Sequence, residues 1–476
     1  MARESLLEHR KCSDYDRYFF IIGRYALGND RFLFYLKRVN PLKHYFRFEE
    51  HNTTYGKETL AGTTTFLAMA YILFVNPLIL GDAGMDMGAV FAATAIAAAI
   101  GTAIMGLWGK YPIALAPGMG LNAFFAYTVV LGMGIDWEIA LFGVFASGII
   151  FIILTLFKLR EVIINAIPAE LKYASASGIG LFIAFVGLQN AEIVVPDEST
   201  YVALGNMTSP TTLLAIFGLV VTVIFVVLGF RGGIFYGMAL TAVAGVVTGF
   251  VEMPSAIVDS IPSLAPTFGA AFTGIAEVEW TSAMIMQLLI VILTFLFVDF
   301  FDTAGTLYAV ANQAGYVKNN RLPNAGRALL SDASASSVGA VLGTSTTTAF
   351  VESTSGVAAG GRTGFTSLVT AALFLLSLFF SPLLAVVTEA VTAAALIVVG
   401  VMMASALRLI EWDKIEIALP AFLTVVAMPL TYSIANGIAL GFMFYPITML
   451  LKGEGKKVHP IMYGLFFVFV GYIFFL

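Results

Sequence analysis

Predominantly apolar stretches about 20 residues long, with few charges, recur from residue 60 to the end of this 476-residue chain, and no water-soluble fold can bury so many of them. At a rise of about 1.5 Å per residue, each has the length of one helix across a hydrocarbon layer roughly 30 Å thick. The first candidates are 60–81, 88–108, 112–133, 138–158, 168–190, 211–229 and 234–252. Past a loop at 253–281, which holds Pro254, Pro262 and Pro266, come 283–311, 328–342, 345–360, 363–381, 384–405, 414–431 and 434–451. A last stretch at 459–475 is at the lower limit for spanning and is read as an interfacial or re-entrant helix. Hydrophobic residues make up 59% of the chain and charged ones 12%, against about 45–50% and about 25% in soluble domains. An all-α polytopic membrane protein with about 14 transmembrane segments is expected.

Charge placement tests that reading, because cytoplasmic loops collect Lys and Arg. Loops with Lys110, then Lys158, Arg160 and Lys172, then Arg231, then Lys318, Arg321 and Arg327, then Arg362, then Arg408 and Lys414, then Lys452, Lys456 and Lys457 alternate with loops that hold none. The intervening loops, around Asp82 and Asp86, Asp136 and Glu138, Glu192 to Glu198, and Glu252 to Glu279, carry only acids. The amino terminus is therefore expected in the cytoplasm of a multi-pass plasma-membrane protein. Residues 1–49 hold ten of the 25 Lys plus Arg, mixed with aromatics such as Tyr18, Phe19 and Phe32, as in a basic membrane-surface segment. No small-residue cleavage site follows an apolar core, so this is not a signal peptide. An alternative for the same stretch is a later translation start, near Leu42. The expected parts are this segment at 1–49, a first repeat at 50–270, a second at 271–452 and a hydrophobic carboxyl-terminal segment at 453–476.

Two halves of seven segments each must enter the membrane from opposite sides, which makes them an inverted repeat. Their third segments are interrupted in the same way. Tyr111-Pro-Ile-Ala-Leu-Ala-Pro-Gly-Met-Gly-Leu-Asn122 puts Pro117, Gly118 and Gly120 at mid-membrane, and Gly343-Thr-Ser-Thr-Thr-Thr348 is a β-favouring hydroxyl run ahead of Glu352. Each is expected to be a short extended piece followed by a half-helix whose free N–H groups face a polar solute. Kinks in ordinary spanning helices also use Gly and Pro, but irregular backbone at membrane depth is tolerated only where protein buries it or a cavity needs it.

The acids inside the apolar segments point to the same place. Asp299 and Asp302 lie three apart on one helical face of the eighth segment, and Glu352 opens the half-helix of the tenth. A carboxyl removed from water holds a proton more readily, which suits a proton-coupled carrier, and carboxylate acceptors match the planar N–H donors of nucleobases. The candidate substrate-binding residues are Asp302, Glu352, Asn122, Phe350, Thr348 and Gly118, with Phe350 able to stack on a flat ring. The candidates for proton coupling are Glu352, Asp302 and Asp299. Asp332, in Ser331-Asp-Ala-Ser, reads either as an N-cap or as support for the site, and Glu389 as an interfacial residue. The lone Cys12 and the histidines His9, His44, His51 and His459 all lie outside the apolar segments, which excludes a buried metal site or imidazole relay. No metal or organic cofactor is expected, H⁺ being the coupling ion, and no nucleic-acid partner.

Four stretches carry a resemblance: Lys57-Glu-Thr-Leu-Ala-Gly-Thr-Thr-Thr-Phe-Leu-Ala-Met-Ala-Tyr-Ile, Ala116-Pro-Gly-Met-Gly-Leu-Asn-Ala-Phe-Phe, Asp299-Phe-Phe-Asp-Thr-Ala-Gly-Thr-Leu and Thr346-Thr-Thr-Ala-Phe-Val-Glu-Ser-Thr-Ser-Gly. In this order they resemble the azaguanine-type hypoxanthine/guanine/adenine permeases of the nucleobase–cation symporter (nucleobase–ascorbate transporter) group, from about residue 48 to the end. The resemblance implies two inverted repeats, divided into a core domain (segments 1–4 and 8–11) and a gate domain (5–7 and 12–14). It also implies proton-coupled uptake of purine bases by an elevator-like movement, with a homodimer as the frequent assembly. It places substrate contacts on Asp302, Glu352, Phe350 and Asn122. The wider group has Asn after the tenth-segment acid, whereas Ser353-Thr-Ser precedes Gly356 here, a change shared by the purine branch. That favours purines over uracil or xanthine. An inorganic anion carrier of the same fold would be opposed by the two acids, and an intramembrane enzyme lacks a nucleophile with its base.

Overall fold

The computed structural model describes residues 41–157, 166–317, 322 and 324–475. Most of the basic amino-terminal segment, with Cys12 and His9, and the loop residues Lys158, Arg160, Lys318 and Arg321 lie outside the described residues. The chain divides after Thr54. Ahead of that point, residues 41–54 form a short helix, Pro41–Tyr45, and a run of turns.

From Tyr55 onward the apolar stretches are helices. The first repeat holds α1 (Tyr55–Met69), α2 (Ile72–Asp82), α3 (Met87–Ile104), β1 (Leu115–Pro117), α4 (Met119–Ala123), α5 (Trp137–Leu156), α6 (Ala169–Asn190), the hairpin β2 (Val194–Asp197) and β3 (Tyr201–Leu204), α7 (Pro210–Val227) and α8 (Gly233–Thr248). After α9 (Ala270–Glu277), the second repeat holds α10 (Ser282–Gln313), α11 (Ala325–Leu342), β4 (Thr347–Ala349), α12 (Ser353–Ala358), α13 (Gly364–Ser377), α14 (Glu389–Ala404), α15 (Ile415–Leu430) and α16 (Ile434–Leu451), followed by α17 (Pro460–Phe475). Among the described residues, eight helical stretches are long and apolar enough to cross a bilayer, and others are shorter or broken. Local signals set their starts: Asp86 accepts from the Ala89 N–H at 2.7 Å ahead of α3, and Ser209 caps α7 with Pro210 in its first turn.

The helices sort into two bundles. In one, α5 and α3 pack on α11, and α1 packs on α12 and α13; in the other, α6 packs on α14 and α15, and α7 on α8 and α14. These are the core and gate domains of a fold built from two inverted repeats. The repeats meet where β1 and β4 pair antiparallel, Leu115 opposite Ala349, Ala116 opposite Thr348 and Pro117 opposite Thr347. Antiparallel pairing is what opposite insertion of two equivalent segments requires.

Three expectations are corrected. The loop at 253–281 contains a helix, α9, packed on α5, and the acidic loop after α6 is a hairpin, since Pro and acidic residues mask short elements from a reading based on apolar length. Asp332 is not an N-cap: α11 begins seven residues earlier, and the buried carboxylate sits inside it. The last stretch is the helix α17. Phe469 packs on Phe442 and Phe297 with ring centroids 5.6 Å apart in both cases. Phe442 lies roughly 15 Å up α16 from Lys452 at about 1.5 Å per residue, so α17 packs back along α16 over that length.

Candidate functional site

Two strands at membrane depth leave backbone groups that lipid cannot satisfy, and the hydroxyl-rich sequence around them supplies the partners. The Thr102 hydroxyl donates to the Leu115 carbonyl (3.0 Å) and accepts from the Leu115 N–H (2.8 Å). Ser336 donates to the Thr347 carbonyl at 2.8 Å, and the Ala114 N–H donates to the Ser353 hydroxyl at 3.0 Å. Asn76 of α2 donates to Thr94 at 2.7 Å and to Thr344 at 2.8 Å, which anchors the chain entering β4. Within the Gly343-to-Thr348 run, Thr344, Ser345 and Thr348 bond side chains of other segments, Asn76, Asn122 and Thr303.

Gly118 follows β1 and Glu352 follows β4, each at the N-cap position of its half-helix. A Cβ at Gly118 would lie 2.6 Å from the Thr348 methyl and 3.5 Å from a carboxylate oxygen of Asp302, so only glycine lets the strands cross this closely beside that acid. The structure therefore brings together Gly118, Thr348 and Asp302 from segments 3, 10 and 8. Glu352, almost wholly buried, accepts from the Tyr71 hydroxyl at 2.6 Å. The Asp332 and Glu352 carboxylates are close enough to Asp302 to act on it electrostatically. Asn122 is buried in α4, its Oδ1 accepting from the Ser345 hydroxyl, and Phe350 is buried in the main apolar core.

Asp299, three residues before Asp302 on α10, is tied to Thr303. Its Oδ1 accepts from Thr303 one turn along α10 at 3.1 Å, and the same hydroxyl lies 2.9 and 3.0 Å from the two Asp332 oxygens and 2.8 Å from the Thr348 hydroxyl. One hydroxyl carries one proton, so it donates to a single partner at a time. Asp299 and Asp332 thus brace α10, α11 and β4 against one another, with Asp302 nearer the crossing.

The expected free N–H groups of the second half-helix are not there. The N–H groups of Ser353, Thr354 and Ser355 donate to the carbonyls of Phe350, Val351 and Glu352 in a tight first turn, and the Gly118 N–H donates to Thr346. The buried acidic side chain at that end is Glu352. Sequence reading missed Tyr71, Thr303 and Ser345; each is a hydroxyl within or beside an apolar run, a signal present in the chain but shared with many Thr and Tyr that pack without a role. An open cleft of about 410 Å³, lined by Tyr445, Lys456, His459 and neighbours, lies by the last loop and away from this site.

Residues 56–440 match the model of a family described as the Permease family. The chain is 60% identical over 444 residues to the guanine/hypoxanthine permease PbuG of Bacillus subtilis, covering 91% of this chain and 100% of that one. It is 41% identical over 434 residues to the adenine permease AdeQ of Escherichia coli, covering 91% and 96%. Among solved structures, the transmembrane domain of the cyanobacterial bicarbonate transporter BicA matches with a TM-score of 0.60 at 16% identity, over 80% of this chain and 97% of that one. The murine anion transporter Slc26a9 in its inward-facing state matches with a TM-score of 0.61 at 11% identity, over 94% and 74%. At such identities the likeness is one of fold alone.

Proposed function

The chain belongs to the Permease family, and from that premise we infer that it imports purine nucleobases, hypoxanthine and guanine with adenine as a further substrate, by proton symport. It is a nucleobase permease and not an enzyme. The observation behind the finer reading is that Asp302 lies beside Gly118 at the β1–β4 crossing and Glu352 just past β4, held by the Tyr71 hydroxyl, with Asn122 bonded to Ser345 just ahead of β4. Planar bases offer N–H donors to such acceptors, and a proton taken with the base neutralises an acid that must cross the membrane with the core. Transport proceeds as the core bundle, carrying both half-helices, slides as an elevator against the gate bundle. The protein sits in the cell membrane with fourteen crossings, its amino terminus in the cytoplasm, as a homodimer. The acids oppose an inorganic anion as substrate, although the fold is shared with anion carriers.

The experiment is uptake of radiolabelled hypoxanthine, guanine, adenine and uracil by purine-uptake-deficient cells, with and without a protonophore, for the native chain and Glu352→Gln. Saturable purine uptake that collapses with the protonophore and with the substitution supports the reading. Absence of uptake of every base, with the protein at the cell surface, overturns it.

A further inference from the structure

Glu58 is a buried carboxylate for which the transport reading has no use. It lies in the first turn of α1 with no exposed surface. It accepts from the Arg362 N–H (3.0 Å), the Thr363 N–H (3.2 Å), the Thr363 hydroxyl (2.9 Å) and the Thr366 hydroxyl (2.5 Å). A carboxylate held out of water needs such a set of donors in place of its hydration. Arg362 turns its guanidinium the other way: Nη1 donates to the Val357 carbonyl at 2.6 Å and the Gly361 carbonyl at 2.7 Å. Val357 is near the end of α12, so the cation sits at the negative end of that half-helix.

Half-way along α12, Gly356 leaves no room for a side chain. A Cβ there would lie 2.7 Å from the Ala61 carbonyl of α1 and would collide with the Thr65 hydroxyl. At the far end, Tyr71, two residues past α1, holds Glu352 at the N-cap of α12. Contacts therefore link α1 and its following turn to α12 and its flanks at three levels, from Glu58 with Arg362 in the loop after α12, through Ala61 and Thr65 with Gly356, to Tyr71 with Glu352. A six-residue helix has too few internal bonds to hold its own shape and place.

We propose that α1 is a splint for α12, and that Glu58 and Arg362 are positioning residues that hold the Glu352 carboxylate at its place beside the strand crossing. The idea rests on the reading of Glu352 as a substrate contact. Slack at the Arg362 end reaches Glu352 because α12 is only about 9 Å long and moves as one piece.

The test is equilibrium binding of labelled hypoxanthine to the purified full chain, combined with a purine-independent readout. Glu58→Gln is expected to weaken binding about tenfold, with Arg362→Lys falling between it and the native chain, since lysine keeps the charge at the helix end. In a Glu352→Gln background the Glu58 substitution is expected to add less than about twofold, because residues acting through one carboxylate do not add. Full additivity overturns the proposal, as a merely stabilising residue would act independently of Glu352. The second readout uses Glu352→Cys in a Cys12→Ser chain, the native protein having one cysteine. Its labelling rate by a methanethiosulfonate reagent is expected to change at least about fivefold when Glu58→Gln is added, and an unchanged rate overturns the proposal. Where the native chain binds no purine, the function reading fails and the labelling rate alone judges the splint.

Discussion

Replacing Tyr71 by phenylalanine removes one oxygen from the candidate site and leaves the ring that packs there. That oxygen donates to Glu352 over 2.6 Å, with both groups buried. A hydrogen bond to a charged acceptor contributes about 1.5–3 kcal/mol net, and short O–H···O⁻ bonds stand at the upper end. At about 1.4 kcal/mol per factor of ten, the loss corresponds to roughly 10- to 150-fold if all of it falls on substrate affinity. In uptake assays on cells with matched surface protein, the half-saturating hypoxanthine concentration should rise within that range, with the maximal rate changing less than about threefold. In a Glu352→Gln background, measured by binding, the effect should shrink to about half in energy, because a neutral amide oxygen accepts a weaker bond. A folded Tyr71→Phe chain whose half-saturation stays within about twofold of native would refute the claim that this bond readies the carboxylate.

Gly118→Ala puts a methyl where the Thr348 methyl already sits, 2.6 Å away, and should cost about 1–3 kcal/mol, read as a lowered melting temperature in detergent and loss of uptake. Thr303→Val keeps the shape but removes the hydroxyl that contacts Asp299, Asp332 and Thr348; it should destabilise by about 1–3 kcal/mol while Thr303→Ser stays near native, both read by thermal unfolding. In the β2–β3 hairpin, the Ser199 and Thr200 N–H groups hold the Asp197 carboxyl below its usual 3.8. A depressed value means that the ordering is present above the unfolded pKa and lost as pH falls through the folded one. Protection of the Thr200 and Ser199 amides, taken relative to the intrinsic exchange rate at each pH, should therefore persist at neutral pH and fall as the pH drops below the usual 3.8, and Asp197→Ala should remove it at neutral pH.

Much of the fold was legible because its signals are local. An apolar run of membrane length forms a helix whatever lies beside it, and Pro117 with Gly118 interrupts one whatever the partner. The hydroxyl run before Glu352 was legible for the same reason, and β1 and β4 fall where the two interruptions were expected. Legibility failed where an element was short and polar, as in α9 and the β2–β3 hairpin, and where Ser331-Asp-Ala-Ser has the composition of a cap although α11 starts upstream.

The sequence by itself determined that this is a membrane-spanning chain of two related halves, each broken once, with Asp302 and Glu352 inside the apolar layer. Hydropathy, backbone sterics and the burial cost of a charge act on each segment without reference to any other. Only the tertiary structure decided which polar groups meet. Tyr71 and Glu352 are 281 residues apart, Ser345 and Asn122 are 223 apart, and Thr303 gathers partners from three elements. It also decided that the first N–H groups of α12 are closed into their own turn. Hydrogen bonds form between atoms about 3 Å apart in space, and that proximity exists only once the inverted halves have packed across the strand crossing.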